Sequence, residues 1–162
     1  MGSEAGVQLY CFQKRVHKLL AEGTPVILHA PTGAGKTRAA IYPFLWAWEF
    51  DKPFPRQVIY SVPMRVLANQ FFAEYNGRAN NFGFQRPLSV TIQTGEYQED
   101  PELKGDLVFT TIDQTLSNIL GVPYSVGSSR SNLNAGAVVS SYLVFDEFHL
   151  FPLGDPRRAE GA

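Results

Sequence analysis

The chain has 162 residues, 44% of them apolar and 18% charged, with a formal net charge of −1. That length suits one domain with a sizeable core, since a domain of this size buries roughly 70% of its unfolded surface, and the composition excludes wholesale disorder. The near-neutral charge excludes a general polycationic surface, so any nucleic-acid binding must come from local patches.

The first segment, Met1-Gly2-Ser3-Glu4-Ala5-Gly6, lacks a basic region followed by an apolar core and is expected to be a flexible N-terminus over 1–6. Cys11 is the single cysteine, which excludes an internal disulfide and a Cys-based metal site and makes a reducing cytosol the simplest home, hence a cytoplasmic expectation. No apolar stretch reaches bilayer length: the longest candidate, Ala39 to Trp48, is short and contains Pro43. The chain is thus expected to have no membrane partner.

Apolar runs alternate with helical stretches from there on. Strands are predicted near 26–30, 57–62, 88–93, 107–110 and 142–146, and helices over 8–21, 36–49, 64–76 and 112–120, with Gly23, Gly77 and Gly121 near three helix ends. This alternation predicts an α/β fold with a mainly parallel sheet and helices on both faces. Pro43 should kink the second helix or mark a break in it. The Gly-, Ser- and Asn-rich segment 121–141 reads as a surface loop with a short helical piece. His29, within the first strand, reads as a core histidine, and His17 as a helix-surface residue.

The first strand leads into Ala30-Pro31-Thr32-Gly33-Ala34-Gly35-Lys36-Thr37, a glycine-rich turn before a helix N-terminus. Backbone amides and the helix dipole favour anions there, so Thr32, Gly33, Ala34, Gly35, Lys36 and Thr37 form a phosphate cradle for ATP. Lys36 reaches the outer phosphates and the Thr37 hydroxyl is placed to ligate Mg²⁺. The strict P-loop pattern begins with glycine, and Ala30 stands in that place.

Further along, Tyr60-Ser61-Val62-Pro63-Met64-Arg65 leaves a strand and enters a helix, offering Arg65 and helix-start amides to a phosphate. Thr94-Gly95 follows the run Leu88 to Gln93, and Thr110-Thr111 closes another strand. Thr110 and Thr111 also suit a helix cap, and capping is compatible with phosphate contact. The run Tyr142-Leu143-Val144-Phe145 then ends in Asp146-Glu147-Phe148-His149, which sets two carboxylates at the C-terminal end of a buried parallel strand, where open α/β sheets bind ligands. Asp146 would share Mg²⁺ with Thr37, and Glu147 would orient and deprotonate the water that attacks the γ-phosphate.

In order and spacing these stretches resemble motifs I, Ia, Ib, Ic and II of superfamily two helicases, with Asp146 to His149 as a DExH-type motif. Among those, Ser61 to Gln70, Thr110 to Gln114, Asn134 to Val138 and Val144 to Leu150 are similar to the helicase part of the CRISPR-associated helicase-nuclease of type I systems. The resemblance implies a RecA-like P-loop NTPase domain over 7–151, followed by a tail over 152–162. It implies that Gln13 hydrogen-bonds adenine, with Phe12 or Arg15 near the base, and that His149 couples nucleotide state to the rest of a two-domain core. Helicases of this kind commonly tolerate alanine where Ala30 stands.

The same resemblance implies single-stranded DNA gripped through its backbone by Pro63, Arg65, Thr94, Gly95, Thr110 and Thr111, and recruitment by an RNA-guided CRISPR surveillance complex. A sequence-independent grip of that sort weakens with salt. DNA against RNA stays open, because backbone contacts do not reveal whether a 2′-OH is accepted. With three scattered histidines and no His-Asp pair, the metal-dependent nuclease domain of that family is expected to be absent from this chain.

Such motors close two RecA-like domains around ATP, and the second supplies arginines worth ~10³ to 10⁵ in rate. Neither its linking motif nor its arginine-bearing motif is found, and Arg157 and Arg158 are not assigned that role. The expectation is therefore an incomplete unit, a fragment or split subunit, that binds ATP·Mg²⁺ and hydrolyses it poorly without a second domain in cis or trans. The alternative is a nucleotide-gated module that binds nucleic acid or protein without turnover. A P-loop kinase or metabolic NTPase is disfavoured, because no phosphate-acceptor site or arginine-bearing lid is found.

Overall fold

The computed structural model describes residues 8–79, 82–97, 99–121 and 131–150. Its elements in chain order are α1 (Cys11–Ala21), α2 (Lys36–Glu49), β1 (Val58–Val62), α3 (Arg65–Ala79), β2 (Val90–Gln93), β3 (Leu107–Thr111), α4 (Ile112–Ile119), α5 (Ser131–Ser140) and β4 (Tyr142–Phe145), ending in a 3-10 turn over Phe148–Leu150. The expectations for 1–6, most of the loop before α5 and the tail 152–162 fall outside the described residues.

The strands form a four-stranded sheet in the order β2-β3-β1-β4, with every pairing parallel. Val58 is the register partner of both Leu107 and Tyr142, and Val90 of Leu107. Side chains alternate across a strand, so one face presents Val58, Tyr60, Val62, Leu107 and Phe109 to Ile41, Phe44 and Leu45 of α2 and to Ala68 and Tyr75 of α3. The opposite face presents Ile59 and Val108 to Val138 of α5. Burial on both faces explains why β1 and β3 are unbroken apolar or small runs rather than alternating ones.

Polar side chains lock the N-terminal edge of the sheet. The Gln57 amide donates to the Leu103 and Gly105 carbonyls and accepts from the Ser141 hydroxyl, which ties the entries of β1, β3 and β4 together. Asp100, nearly buried, accepts from the amides of Lys104 and Gly105 and from the Thr91 hydroxyl.

The strand expected at 26–30 is not formed. This segment has no regular secondary structure and no ladder pairing, and Ile27 is fully exposed rather than buried. A strand needs a neighbour about 4.8 Å away. Here a mainly apolar cleft of about 480 Å³ lies between Val26 and Leu28 on one wall and Tyr142 and Leu143 of β4 on the other. His29 is accordingly exposed, not a core residue. His17 is also corrected: it is half-buried, its ring edge-on to Trp46 at 5.0 Å and to Tyr42 at 5.6 Å. Pro43 does not break α2, because burial of Ile41, Phe44 and Leu45 against the sheet outweighs one lost backbone hydrogen bond. Gly23 and Gly121 end their helices in the left-handed region, at φ +75° and +71°, while α3 runs two residues beyond Gly77.

Candidate nucleotide and nucleic-acid site

Because all strands are parallel, their C-terminal ends lie along one edge. That edge carries Pro63 after β1, Thr94 after β2, Thr111 at the end of β3 and Asp146 after β4. Tyr60 of β1 links this edge to the start of α2, with Asp146 hydrogen-bonded to its phenol and Thr37 beside it.

The turn has the backbone that an anion cradle requires. Gly33 and Gly35 take φ of +79° and +84°, the Ala34 amide donates to the Pro31 carbonyl at 3.2 Å, and Gly35 is the N-cap of α2. Left-handed glycines of this kind turn successive N–H groups inward, and the helix N-terminus adds its positive partial charge. Lys36 lies across the turn, its Nζ donating to the Ala30 and Pro31 carbonyls at 3.0 and 3.2 Å. Thr32 and Gly33 are exposed, and Ala34, Gly35 and Thr37 are half-buried.

Gln13 does meet this turn, though it is held by protein rather than solvent. It is 2% exposed; its Oε1 accepts from the Tyr10 amide at 3.0 Å, and its Nε2 donates to the Gly35 carbonyl at 3.2 Å. A glutamine in the first turn of α1 thus closes the start of its own helix and fixes the cradle together.

Asp146 is clamped on three sides. Its amide donates to the Ser61 carbonyl at 2.9 Å, its Oδ1 accepts from the Glu147 amide at 2.8 Å, and its Oδ2 accepts from the Tyr60 hydroxyl at 2.6 Å. Thr37, at the start of α2, lies beside that same phenol. Burial, and after it the charge of Asp146, pushes the Tyr60 phenol far above its ordinary range, so it stays protonated and donating. Thr37 and Asp146, the pair expected to share Mg²⁺, therefore lie by one phenol, with the hydrogen bond on the Asp146 side. Glu147 takes a left-handed backbone, φ +49°, and its carboxylate lies 3.4 Å from Nδ1 of the exposed His149.

The nucleic-acid residues divide into two groups. Arg65 is exposed at the start of α3, its guanidinium packed on Gly95, where a Cβ would come within 2.9 Å of Nη2, and 3.8 Å from the Glu96 carboxylate. Pro63 is half-buried beside it. Thr94 and Thr110 instead face inward. Thr94 is fully buried and its Oγ1 accepts from the Tyr97 amide, while Thr110 is 1% exposed and donates to the Gln93 carbonyl at 2.7 Å. The resemblance gives both residues to the DNA backbone; in the structure their hydroxyls are engaged in the loop and the sheet. Thr111 is the N-cap position of α4 with no side-chain cap bond.

Tyr60 is the functional residue that sequence reasoning passed over. Within a buried strand it reads as one more large apolar side chain, and only the three-dimensional meeting of β1 and β4 gives its hydroxyl a partner.

The donor set fits the group that the motifs imply. A carboxylate and a hydroxyl suit a hard divalent cation, and a glycine turn with a lysine suits phosphates. Among the described residues no cluster of three or more His, Cys, Asp or Glu could hold a metal by itself, and no helix is long and apolar enough to cross a membrane.

Comparison with known proteins shows the family. The profile of the DEAD/DEAH box helicases matches residues 10–155. A Methanocaldococcus jannaschii protein provisionally named CRISPR-associated nuclease/helicase Cas3 is 29% identical over 88% of this chain and 21% of its own length. The CRISPR-associated helicase Cas3 of Thermoproteus tenax is 30% identical over 77% of this chain and 24% of its own. The ATP-dependent DNA helicase Hel308 of Thermoplasma acidophilum is 30% identical over 93% and 19%. The chain thus spans about a fifth to a quarter of the length of these relatives. A profile match over nearly all of the sequence, with the glycine turn and the Asp-Glu pair at one sheet edge, places the chain in the DEAD/DEAH box helicase family.

Proposed function

We propose that this chain is the ATP-binding half of an ATP-dependent DNA helicase or translocase that serves CRISPR-associated antiviral defence. The observation that carries the reading is the Tyr60 hydroxyl donating to Asp146 with Thr37 beside the same phenol, which supports the P-loop and the carboxylate pair serving one site. Family membership implies ATP, with Mg²⁺ as its usual metal. The CRISPR role is supported by the likeness to the Cas3 proteins, and Hel308 supports a DNA helicase in the broader sense.

In this reading the amides of Thr32 to Thr37 bind the phosphates, Lys36 leaves its loop carbonyls for the outer phosphates, and Gln13 holds the Gly35 end of the cradle beside the base. Thr37 and Asp146 would hold Mg²⁺, which supplies charge neutralisation across the β- and γ-phosphates. Glu147 orients the attacking water and accepts its proton. His149, beside Glu147, links the carboxylate to groups on a second RecA-like domain, supplied in cis or in trans. Single-stranded DNA runs along the strand-end edge over Pro63, Arg65, Gly95 and Thr111, with Thr94 and Thr110 shaping that edge from within. An RNA-guided surveillance complex is the recruiting partner.

The test is ATP hydrolysis with and without single-stranded DNA, for this chain alone and mixed with a separately expressed second RecA-like domain, with Glu147→Gln as control. DNA-stimulated turnover in the mixture, lost in the variant, is the expected result. ATP binding without turnover in any mixture would overturn the motor reading in favour of a nucleotide-gated binding module.

A further inference from the structure

The Tyr60 ring is fixed before its hydroxyl does anything. It is 1% exposed, edge-on to Phe71 at 5.5 Å and tilted against Phe109 at 5.6 Å, in the middle of β1 and so held by both neighbouring strands. Its hydroxyl donates to Asp146 in the turn after β4, and Thr37, at the start of α2 and far away in sequence, lies beside the same phenol. A phenol has one proton to donate and lone pairs to accept with. Donation goes to Asp146 Oδ2.

Asp146 is consequently restrained at both carboxylate oxygens, Oδ1 by the Glu147 amide and Oδ2 by Tyr60. Each oxygen keeps lone-pair capacity after one hydrogen bond. The Oδ1 restraint comes from the adjacent residue and turns with the backbone, whereas the Oδ2 restraint comes from the sheet and fixes the carboxylate relative to the P-loop. The hydroxyl therefore contributes something that the buried ring does not.

We propose that Tyr60 is a positioning residue for the divalent metal of the nucleotide site, its hydroxyl holding the Asp146 carboxylate beside Thr37 so that both serve one cation. The inference rests on the reading of this site as an ATP·Mg²⁺ site. Groups that orient metal ligands without touching the metal are worth about 10- to 100-fold in metal affinity. Tyr60 meets the phosphate cradle only at Thr37 and is not among the groups that bind phosphate or base, so its removal should leave metal-free nucleotide binding intact.

The experiment measures the affinity of the chain for a fluorescent N-methylanthraniloyl-ATP across a Mg²⁺ titration, for wild type, Tyr60→Phe and Lys36→Ala. Tyr60→Phe keeps the ring and deletes the hydroxyl. The expected result is a Mg²⁺ midpoint about tenfold higher, with the affinity in excess chelator unchanged. An unchanged midpoint overturns the inference while leaving the ATP·Mg²⁺ site standing. Nucleotide affinity that is indifferent both to Mg²⁺ in wild type and to Lys36→Ala overturns the site itself, and the two failures are thereby told apart.

Should Tyr60→Phe not fold, wild-type protein carrying tyrosine labelled with ¹³C at Cζ answers the question. One tyrosine resonance must move both on Asp146→Asn and on addition of MgATP relative to metal-free ATP. Absence of any resonance that does both overturns the inference.

Discussion

The Nε2 of Gln13 lies 3.2 Å from the carbonyl oxygen of Gly35, and a Cβ built on Gly35 would stand 2.8 Å from that same nitrogen. Gly35 is required twice at this point: for its left-handed backbone, φ +84°, and for the space that the glutamine amide fills. Gly35→Ala should therefore destabilise the fold by about 1–3 kcal/mol and abolish ATP binding. Adding Gln13→Ala should restore part of the stability, by relieving the collision, and none of the binding, because the backbone strain remains. Thermal melts with calorimetric ATP titrations of the single and double variants check this. Additive stabilities would show that the two residues do not share the space.

His17 sets an acid limit on stability. Burial between Tyr42 and Trp46 lowers its affinity for a proton, and its buried Nδ1 has no hydrogen-bond partner among the described residues. A histidine whose folded pKa is depressed contributes stability that is complete above its unfolded pKa, about 6.5, and is lost as pH falls below that value. Wild type should melt lower at pH 5 than at pH 7.5, and His17→Phe, which keeps an aromatic ring in the site, should lessen that dependence. Equal pH slopes in the two proteins would contradict the assignment.

The glycine turn and the Asp-Glu pair were legible in the sequence because their chemistry is local: a glycine-rich turn before a helix, and carboxylates after an apolar run. What pairs with what was not local. Val26-Ile27-Leu28 reads as a buried strand, yet Ile27 stands in solvent, because the cleft beside β4 separates the segment from any ladder. The helix Ser131–Ser140 has almost no amphipathic signal, because its apolar residues are not gathered on one face. It is held by Asn134, whose amide donates to the Pro101 carbonyl and to Asn118 Oδ1, contacts that no periodicity encodes. The two histidines exchanged places for the same reason, since burial is decided by what packs on a residue and not by the residue itself.

Glu147 combines a reactive position with an unfavourable backbone. Its φ of +49° belongs to the region that non-glycine residues adopt at a cost. Glu147→Gly should leave the melting temperature unchanged or raise it, by up to about 1 kcal/mol in stability, while removing ATP turnover in the complete motor. Glu147→Val, β-branched in the same conformation, should lose more than about 1 kcal/mol. Glu147→Gln should melt like wild type and turn over no ATP. A stability order with valine above glycine would show that the turn relaxes and that the carboxylate's placement is not stored in the backbone.

Arg65 and Glu96 set how strongly the strand-end edge attracts a phosphate. Their side chains are more than half exposed and their charges 3.8 Å apart, so the pair adds little to stability, yet the carboxylate offsets part of the field that a nucleic-acid backbone would meet. Glu96→Gln should tighten binding of single-stranded DNA, most clearly at low salt, with no change in melting temperature. Arg65→Ala should weaken binding about equally for every base sequence and lower the dependence of log affinity on log salt by about one. Gly95→Ala should resemble Arg65→Ala, because the added methyl would sit 2.9 Å from the guanidinium and displace it from the edge. Fluorescence anisotropy with oligonucleotides of different sequence, across a salt series, measures all three. A base-dependent loss in Arg65→Ala would show that this edge reads bases rather than gripping the backbone.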